Sequence, residues 1–294
     1  MEVALAIDVG GTKVAAALVD GGGHLAGPAA RTSTPGKQDA EAMFASVAHV
    51  VAAARDRAGA VPIVCGAGCG GPMTVGGEEV SPLNIPAWRG FPLRSRLEDL
   101  TGLPTFVDND AKALALGEGW VGAAAGERDF LAMVVSTGVG GGIVLDGRLL
   151  DGAAGNAGHV GHVVVEPAGR RCACGGRGCL EAEASGLSIE AVTGRPAAEA
   201  SAEVVARTGR LVGLAVASVA NLLDLRLAVV AGSVALGFGA PFFAAAQAEM
   251  DGRARLEFSS GARIVPAGLG ADGPVVGAAA VGWRGLGREV LGLP

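Results

Sequence analysis

The chain has 294 residues, enough for one large or two modest domains. Half of its residues are hydrophobic, 18% are charged and the net charge is −6, so a sizeable core is expected and a nucleic-acid surface is not. The first residues, Met1-Glu2-Val3-Ala4-Leu5-Ala6-Ile7-Asp8, are too short and too acidic a run for a signal peptide. The apolar stretch 211–223 is about a third too short to cross a bilayer, so a soluble, cytoplasmic protein without a membrane partner is expected. The 50 glycines, about twice ordinary usage, are spread among periodic apolar runs. They read as turns and close backbone approaches.

Val3–Asp8 and Val14–Asp20 alternate around Gly10-Gly11 and predict a hairpin, with a third strand near Leu25 after Gly21-Gly22-Gly23. Met43, Phe44, Val47, Val50, Val51 and Ala54 follow helical spacing between Asp39 and Gly59. Val61–Ala67 predicts a buried strand, 66–92 a long Gly/Pro-rich loop, Thr105–Val107 a strand and Ala111–Gly122 a helix. The same grammar then restarts. Phe130–Ser136 is a strand, 137–142 a glycine-rich turn and Ile143–Leu145 a strand turned by Asp146-Gly147. A long helix over Ala198–Leu223, a strand at Leu227–Val230, a turn at Ala231-Gly232-Ser233, a helix over Phe242–Met250, a strand at Ile264–Pro266 and a helix over Val275–Trp283 complete the chain. Two halves that each open with strand, glycine turn and strand predict an α/β fold of two lobes.

Three sets of residues carry chemistry. The turn Asp8-Val9-Gly10-Gly11-Thr12-Lys13 lets backbone amides approach phosphate oxygens, with Thr12 adding a hydroxyl and Asp8 placed to hold Mg²⁺; its bland reading is a plain hairpin turn. Ser136-Thr137-Gly138-Val139-Gly140-Gly141-Gly142 is a like device in the second half. Neither is a Walker loop, and together they suggest a nucleotide clamped across an interdomain cleft. In Val107-Asp108-Asn109-Asp110-Ala111, Asn109 or Asp110 could simply cap a helix. Functionally, Asp110 is placed to accept a hydroxyl proton during phosphoryl transfer, with Asn109 bonding neighbouring hydroxyls. The third set is Cys172, Cys174 and Cys179 with His162, nine residues intervening between the histidine and the first cysteine. Three thiolates and one imidazole complete a tetrahedral, closed, structural zinc site. The alternatives are inert cysteines or a disulfide, but Cys172 and Cys174 are too close in sequence to pair comfortably and one thiol is left over. Cys65 and Cys69 lack a partner histidine and read as core or loop.

In combination these motifs resemble the ROK family of sugar kinases and repressors, from Asp8 to Trp283. The resemblance implies an actin-like (ribonuclease H-like) two-lobe ATPase, with lobes at 1–113 plus 278–294 and at 114–277. It implies ATP-dependent phosphorylation of a hexose-like sugar at its 6-hydroxyl, with glucose as the first expectation. An N-acetylhexosamine such as N-acetylmannosamine, or a cyclitol, is the alternative. Asp110 would be the catalytic base. Asn84 (in Ser81-Pro82-Leu83-Asn84-Ile85-Pro86-Ala87-Trp88), Asn109, His159, His162 and Glu181 would contact sugar. Asp8, Gly10, Gly11, Thr12, Lys13, Thr137, Gly138, Gly140 and Gly232 would serve the Mg²⁺–nucleotide. His162, Cys172, Cys174 and Cys179 would hold zinc. The family's motif Gly-Glu-x-Gly-His is here Gly158-His159-Val160-Gly161-His162, so a histidine replaces the glutamate that binds sugar hydroxyls. A carboxylate only accepts hydrogen bonds, whereas neutral histidine offers one donor and one acceptor, so the C1–C2 end of the substrate is expected to differ from glucose. Gly70-Gly71-Pro72 also stands where Pro-Gly is frequent. Repressor members carry a winged helix before the first phosphate loop, for which seven residues leave no room. A non-catalytic sugar-responsive regulator is the remaining alternative. Family members are commonly homodimers or homotetramers.

Overall fold

The computed structural model describes residues 2–34 and 39–291. Met1 and residues 292–294, at the edges of the expected first lobe, lie outside them. The chain divides into two compact units, one of Met1–Gly126, Leu149–Ala157 and Gly268–Pro294 and the other of Glu127–Arg148 and Gly158–Ala267.

The first unit opens with β1 (Val3–Val9) and β2 (Lys13–Asp20), antiparallel and in register from Val3–Asp20 to Val9–Val14. The third strand, β3, lies at Ala30–Ser33; Leu25 forms only a single bridge with Val19. Helix α1 (Ala40–Ala58) starts where Asp39 accepts from the amides of Glu41 and Ala42 and stops at left-handed Gly59. Its predicted stripe is buried, each of its Val, Met and Phe side chains contributing about 1.5–3 kcal/mol of transfer free energy. Strand β4 is longer than its apolar run suggested, Pro62–Cys69. It runs on through Gly68 and Cys69, and at Gly66 helix backbone lies against it: a Cβ there would stand 2.0 Å from the Ala278 carbonyl oxygen. After α2 (Leu93–Thr101) come β5 (Thr105–Asn109) and α3 (Asp110–Val121). The sheet order is β3-β2-β1-β4-β5, with β1, β4 and β5 parallel. Helix α3 runs unbroken across the 113/114 boundary drawn from sequence, and the first unit extends to Gly126.

The second unit repeats this plan. Strands β6 (Phe130–Val135) and β7 (Val139–Leu145) form its opening hairpin, followed by β8 (Arg148–Leu149). Gly140, Gly141 and Gly142, expected in a turn, belong to β7. The strand needs Gly141 small, since a Cβ there would come within 2.6 Å of Val160 and 3.0 Å of the Ala132 carbonyl. Helices α4 (Leu180–Ala184), α5 (Gly186–Thr193) and α6 (Ala202–Leu223) follow. The long helix starts at Ala202 rather than Ala198 because Ser201 caps it, accepting from Val204 N, after a separate turn at Ala197–Glu199. Then come β9 (Leu227–Ala231), α7 (Ser233–Phe238), α8 (Ala240–Arg253) and β10 (Arg263–Pro266). The order β10-β9-β6-β7-β8 is the first sheet's order again, with the hairpin antiparallel and the outer strands parallel. The chain then returns to the first unit as α9 (Gly273–Gly285), which packs on β1, β4 and α3. Among the described residues no helix is long and apolar enough to cross a membrane.

Candidate active site

In the first unit, register gathers the predicted residues at the carboxyl ends of three parallel strands, the edge where open α/β sheets bind ligands. Asp8 of β1 aligns with Gly68 of β4, which aligns with Asp108 of β5. A Cβ on Gly68 would lie 3.5 Å from Asp110 Cα, and the carboxylates of Asp8 and Asp110 sense one another. Asp8 is buried. Burial first, and then the Asp110 charge, push its carboxyl up to about 7, against the opposing pull of Lys13 and Arg31.

Asp110 is the first residue of α3. Asn109 caps the helix by accepting from Ala111 N at 3.0 Å and Lys112 N at 3.4 Å, and Asp110 itself accepts from Ala111 N at 2.9 Å. The capping reading and the acid–base reading are therefore compatible. The Gly10–Lys13 turn is closed by Gly10 N to Lys13 O at 3.0 Å and steadied by Thr34, whose hydroxyl donates to Gly10 O at 2.9 Å. Thr12 and Lys13 are exposed. Asn84 packs on this turn; a Cβ at Gly11 would lie 2.6 Å from its Nδ2. The loop bearing Asn84 is anchored by buried Trp88, which stacks on Phe91 at 4.3 Å and donates to Ala40 O at 3.3 Å.

Cys69, read as core or loop, is in the core, and sequence reasoning missed the buried ion pairs of Lys112. Buried Cys69 lies near Asp8 and Asp110, its thiol pushed well up by burial and then by those two carboxylates. Lys112 is buried and pairs with Asp108 at 3.0 Å and Asp151 at 2.7 Å. Burial raises the Asp151 carboxyl, but Lys112 and Arg284 together bring it below its ordinary value. The signal was present as the i,i+4 spacing of Asp108 and Lys112, although a lone lysine on a helix ordinarily reads as solvated.

In the second unit, Thr137 and Gly138 form the β6–β7 turn, closed by Ser136 N to Gly138 O at 2.9 Å. Gly140 lies within β7, paired with Val134. Gly232 sits beside that turn at φ 101°, and a side chain there would strike the Val135 carbonyl at 2.3 Å. The hydroxyls of Ser136 and Ser233 meet at 2.9 Å, a pairing not anticipated from sequence. Glu181 accepts from Val139 N at 2.9 Å, which ties the start of α4 to the same turn.

The ligand atoms of His162, Cys172, Cys174 and Cys179 lie within 4.8 Å of one another. Cys174 Sγ and Cys179 Sγ are 3.8 Å apart, and His162 Nδ1 and Cys172 Sγ are 3.7 Å apart. A tetrahedron with metal–sulfur bonds of about 2.3 Å has edges of about 3.8 Å, so the donor set fits Zn²⁺ in size and chemistry. His159 is exposed, its ring centre 6.0 Å from that of His162, and it is not one of the clustered ligands. Behind the cysteine loop, buried Glu183 accepts from Arg170 N at 2.7 Å and Arg207 Nη2 at 2.7 Å, a support that sequence reasoning also missed.

The family model described as ROK family matches residues 4–283. N-acetylmannosamine kinase of Citrobacter koseri is 38% identical over 251 residues, covering 80% of this chain and 84% of the relative. Among solved structures, the ROK hexokinase from Thermus thermophilus is similar with a TM-score of 0.82 and 33% identity, covering 97% of this chain and 99% of that one. A ROK family glucokinase from Streptomyces griseus in complex with glucose and AMPPNP gives a TM-score of 0.85 at 29% identity, covering 96% and 99%.

Proposed function

The chain belongs to the ROK family, and from that premise we propose that this sugar kinase transfers the γ-phosphoryl group of ATP to the 6-hydroxyl of an N-acetylhexosamine, N-acetylmannosamine foremost. The observation that carries the acceptor is the 38% identity to an N-acetylmannosamine kinase over most of both chains. The first expectation, glucose, takes second place to its alternative. His159 supports the same order. N-acetylmannosamine carries an acetamido group at C2, which presents both an N–H donor and a carbonyl acceptor. A neutral imidazole complements such a group, whereas a carboxylate only accepts.

In this reading Asp110 accepts the 6-hydroxyl proton, and Asn109 and Asn84 bond neighbouring hydroxyls. Asp110 needs only to stand within hydrogen-bond reach of that hydroxyl, because phosphoryl transfer asks for positioning and charge neutralisation more than covalent help. Backbone amides at Gly10–Thr12 and Thr137–Gly138, with Lys13, Gly140 and Gly232, serve the nucleotide. Mg²⁺, when bound, neutralises phosphate charge, and Asp8 is the carboxylate suited to it, since burial beside Asp110 leaves it short of a cation. Zn²⁺ would be held by His162, Cys172, Cys174 and Cys179. With His162 Nδ1 turned to the cysteines, Nε2 is left to reach a sugar hydroxyl.

The test is coupled ADP release with ATP over N-acetylmannosamine, N-acetylglucosamine, glucose, mannose and a cyclitol. The reading expects the highest kcat/KM on N-acetylmannosamine. A preference for glucose would overturn the acceptor assignment. Tight sugar binding without turnover on any of them would favour the regulator alternative.

A further inference from the structure

Behind the turn that carries Asp110, the first unit holds a cavity of about 360 Å³ whose lining includes Thr74, Gly77, Asp108, Lys112, Asp151 and Arg284. Lysine is almost never fully buried unless paired, and the Lys112 side chain is 2% exposed. Its ammonium has three N–H donors and meets three acceptors: Asp151 Oδ1 at 2.7 Å, Asp108 Oδ1 at 3.0 Å and Gly155 O at 3.2 Å. Arg284 of α9 spans the same two carboxylates, 3.1 Å from Asp151 Oδ2 and 3.8 Å from Asp108 Oδ2. Two cations and two anions cancel and every one is paired, so this cluster does not call for a charged ligand. Its effect is on geometry.

The geometry concerned is that of the base. Asp108 Oδ1 also accepts from Asn109 N at 2.8 Å, and Asn109 in turn caps the helix that Asp110 begins. Lys112 is flanked by Ala111 and Ala113, both buried, so an apolar side chain would fill its place without the desolvation penalty of a buried cation. We infer that Lys112 is a positioning residue: by gripping Asp108, Asp151 and the Gly155 carbonyl at once, it fixes the Asp108-Asn109-Asp110 turn in the orientation that proton transfer from the sugar hydroxyl requires. The inference rests on the kinase reading above.

Lys112→Ala removes the cation and leaves room that adjoins the cavity. Misplacement of a reacting group by about 1 Å can cost 10²-fold in rate. The expected result, per folded enzyme, is a kcat lower by about 10- to 100-fold, with KM for ATP and sugar changed less than about threefold. n-Propylammonium at millimolar concentration should restore kcat at least about fivefold, while n-propanol, of the same size and uncharged, should not. A purely structural role would lower stability without a cation-selective rescue of kcat. A folded Lys112→Ala enzyme with kcat within twofold of the parent, or one rescued equally by n-propanol, overturns the assignment. Should that variant fail to fold, Asp151→Asn decides, since Asp151 is half-exposed. A kcat lowered at least about threefold with KM unmoved supports the inference, and an unchanged kcat refutes it. A parent inactive on every sugar sinks the kinase reading and this inference together, whereas an active parent with an unaffected Lys112→Ala sinks this inference alone.

Discussion

Asp110 is separated from its neighbours by role rather than by residue type. Asp108 is neutralised from behind by Lys112, Asp8 is buried and raised, and Asp110 opens a helix and accepts from the Ala111 amide. Asp110→Asn keeps the size and the helix start but removes the proton acceptor. It should lower kcat by about 10²–10⁴-fold while sugar binding, followed by calorimetry, stays within a few-fold; near-normal turnover would exclude Asp110 as the base. His159 tests specificity. His159→Glu replaces a donor-plus-acceptor by an acceptor, so the ratio of kcat/KM for N-acetylmannosamine over glucose should fall by about tenfold, the worth of one good hydrogen bond. An unchanged ratio across the sugar panel would remove His159 from acceptor recognition. The sequence made these two residues conspicuous because each sits in a motif whose chemistry can be named. Lys112 stayed hidden for a physical reason: nothing in one helix's pattern reveals that segment 149–157 will cover a lysine and supply acceptors for two of its three protons.

At the scale of elements, hairpins and helices were legible from period and punctuation, as with the Asp39 cap and Gly59 stop of α1. One misplacement has a packing cause. Gly141 in β7 read as part of a turn, yet it is strand, and a Cβ there would come within 2.6 Å of Val160 and 3.0 Å of the Ala132 carbonyl. Close approach is a tertiary fact, invisible to local pattern. The cysteine loop is the opposite case, since ligand spacing alone indicated the cluster that the structure brings together. Glu183 pins the loop through Arg170, and Gly178 sits so tightly on Glu166 that a Cβ would fall 1.7 Å from its carbonyl oxygen. The loop is thus largely preformed, and metal binding should add local stability rather than drive folding of the chain. Cys174→Ser, at an exposed ligand position, should reduce bound zinc, measured by elemental analysis, and lower Tm by roughly 5 °C. Full zinc content in that variant would refute the four-ligand site.

At the scale of the whole molecule, the duplicated sheet order means that each unit carries its own opening hairpin and glycine turn. In the first unit that plan brings a buried carboxylate, Asp8, toward a second one, an arrangement unfavourable to folding unless a cation is present. The Asp8 carboxyl rises from 3.8 to about 7, so between these values the native state keeps a proton that the unfolded chain has released. Stability therefore falls as pH rises through that window, by up to an order of 4 kcal/mol, and is unaffected by this group below it. Asp8→Asn has no charge to desolvate. Urea melts of the metal-free protein should show the variant more stable than the parent at pH 8 and nearly equal at pH 4, even though phosphoryl transfer is impaired. Mg²⁺ with nucleotide should narrow the gap at pH 8 by favouring the ionised carboxylate of the parent. Parallel stability curves for parent and variant from pH 4 to 8 would mean that Asp8 is not held out of its ordinary range, and with that the case for a cation beside it would fall.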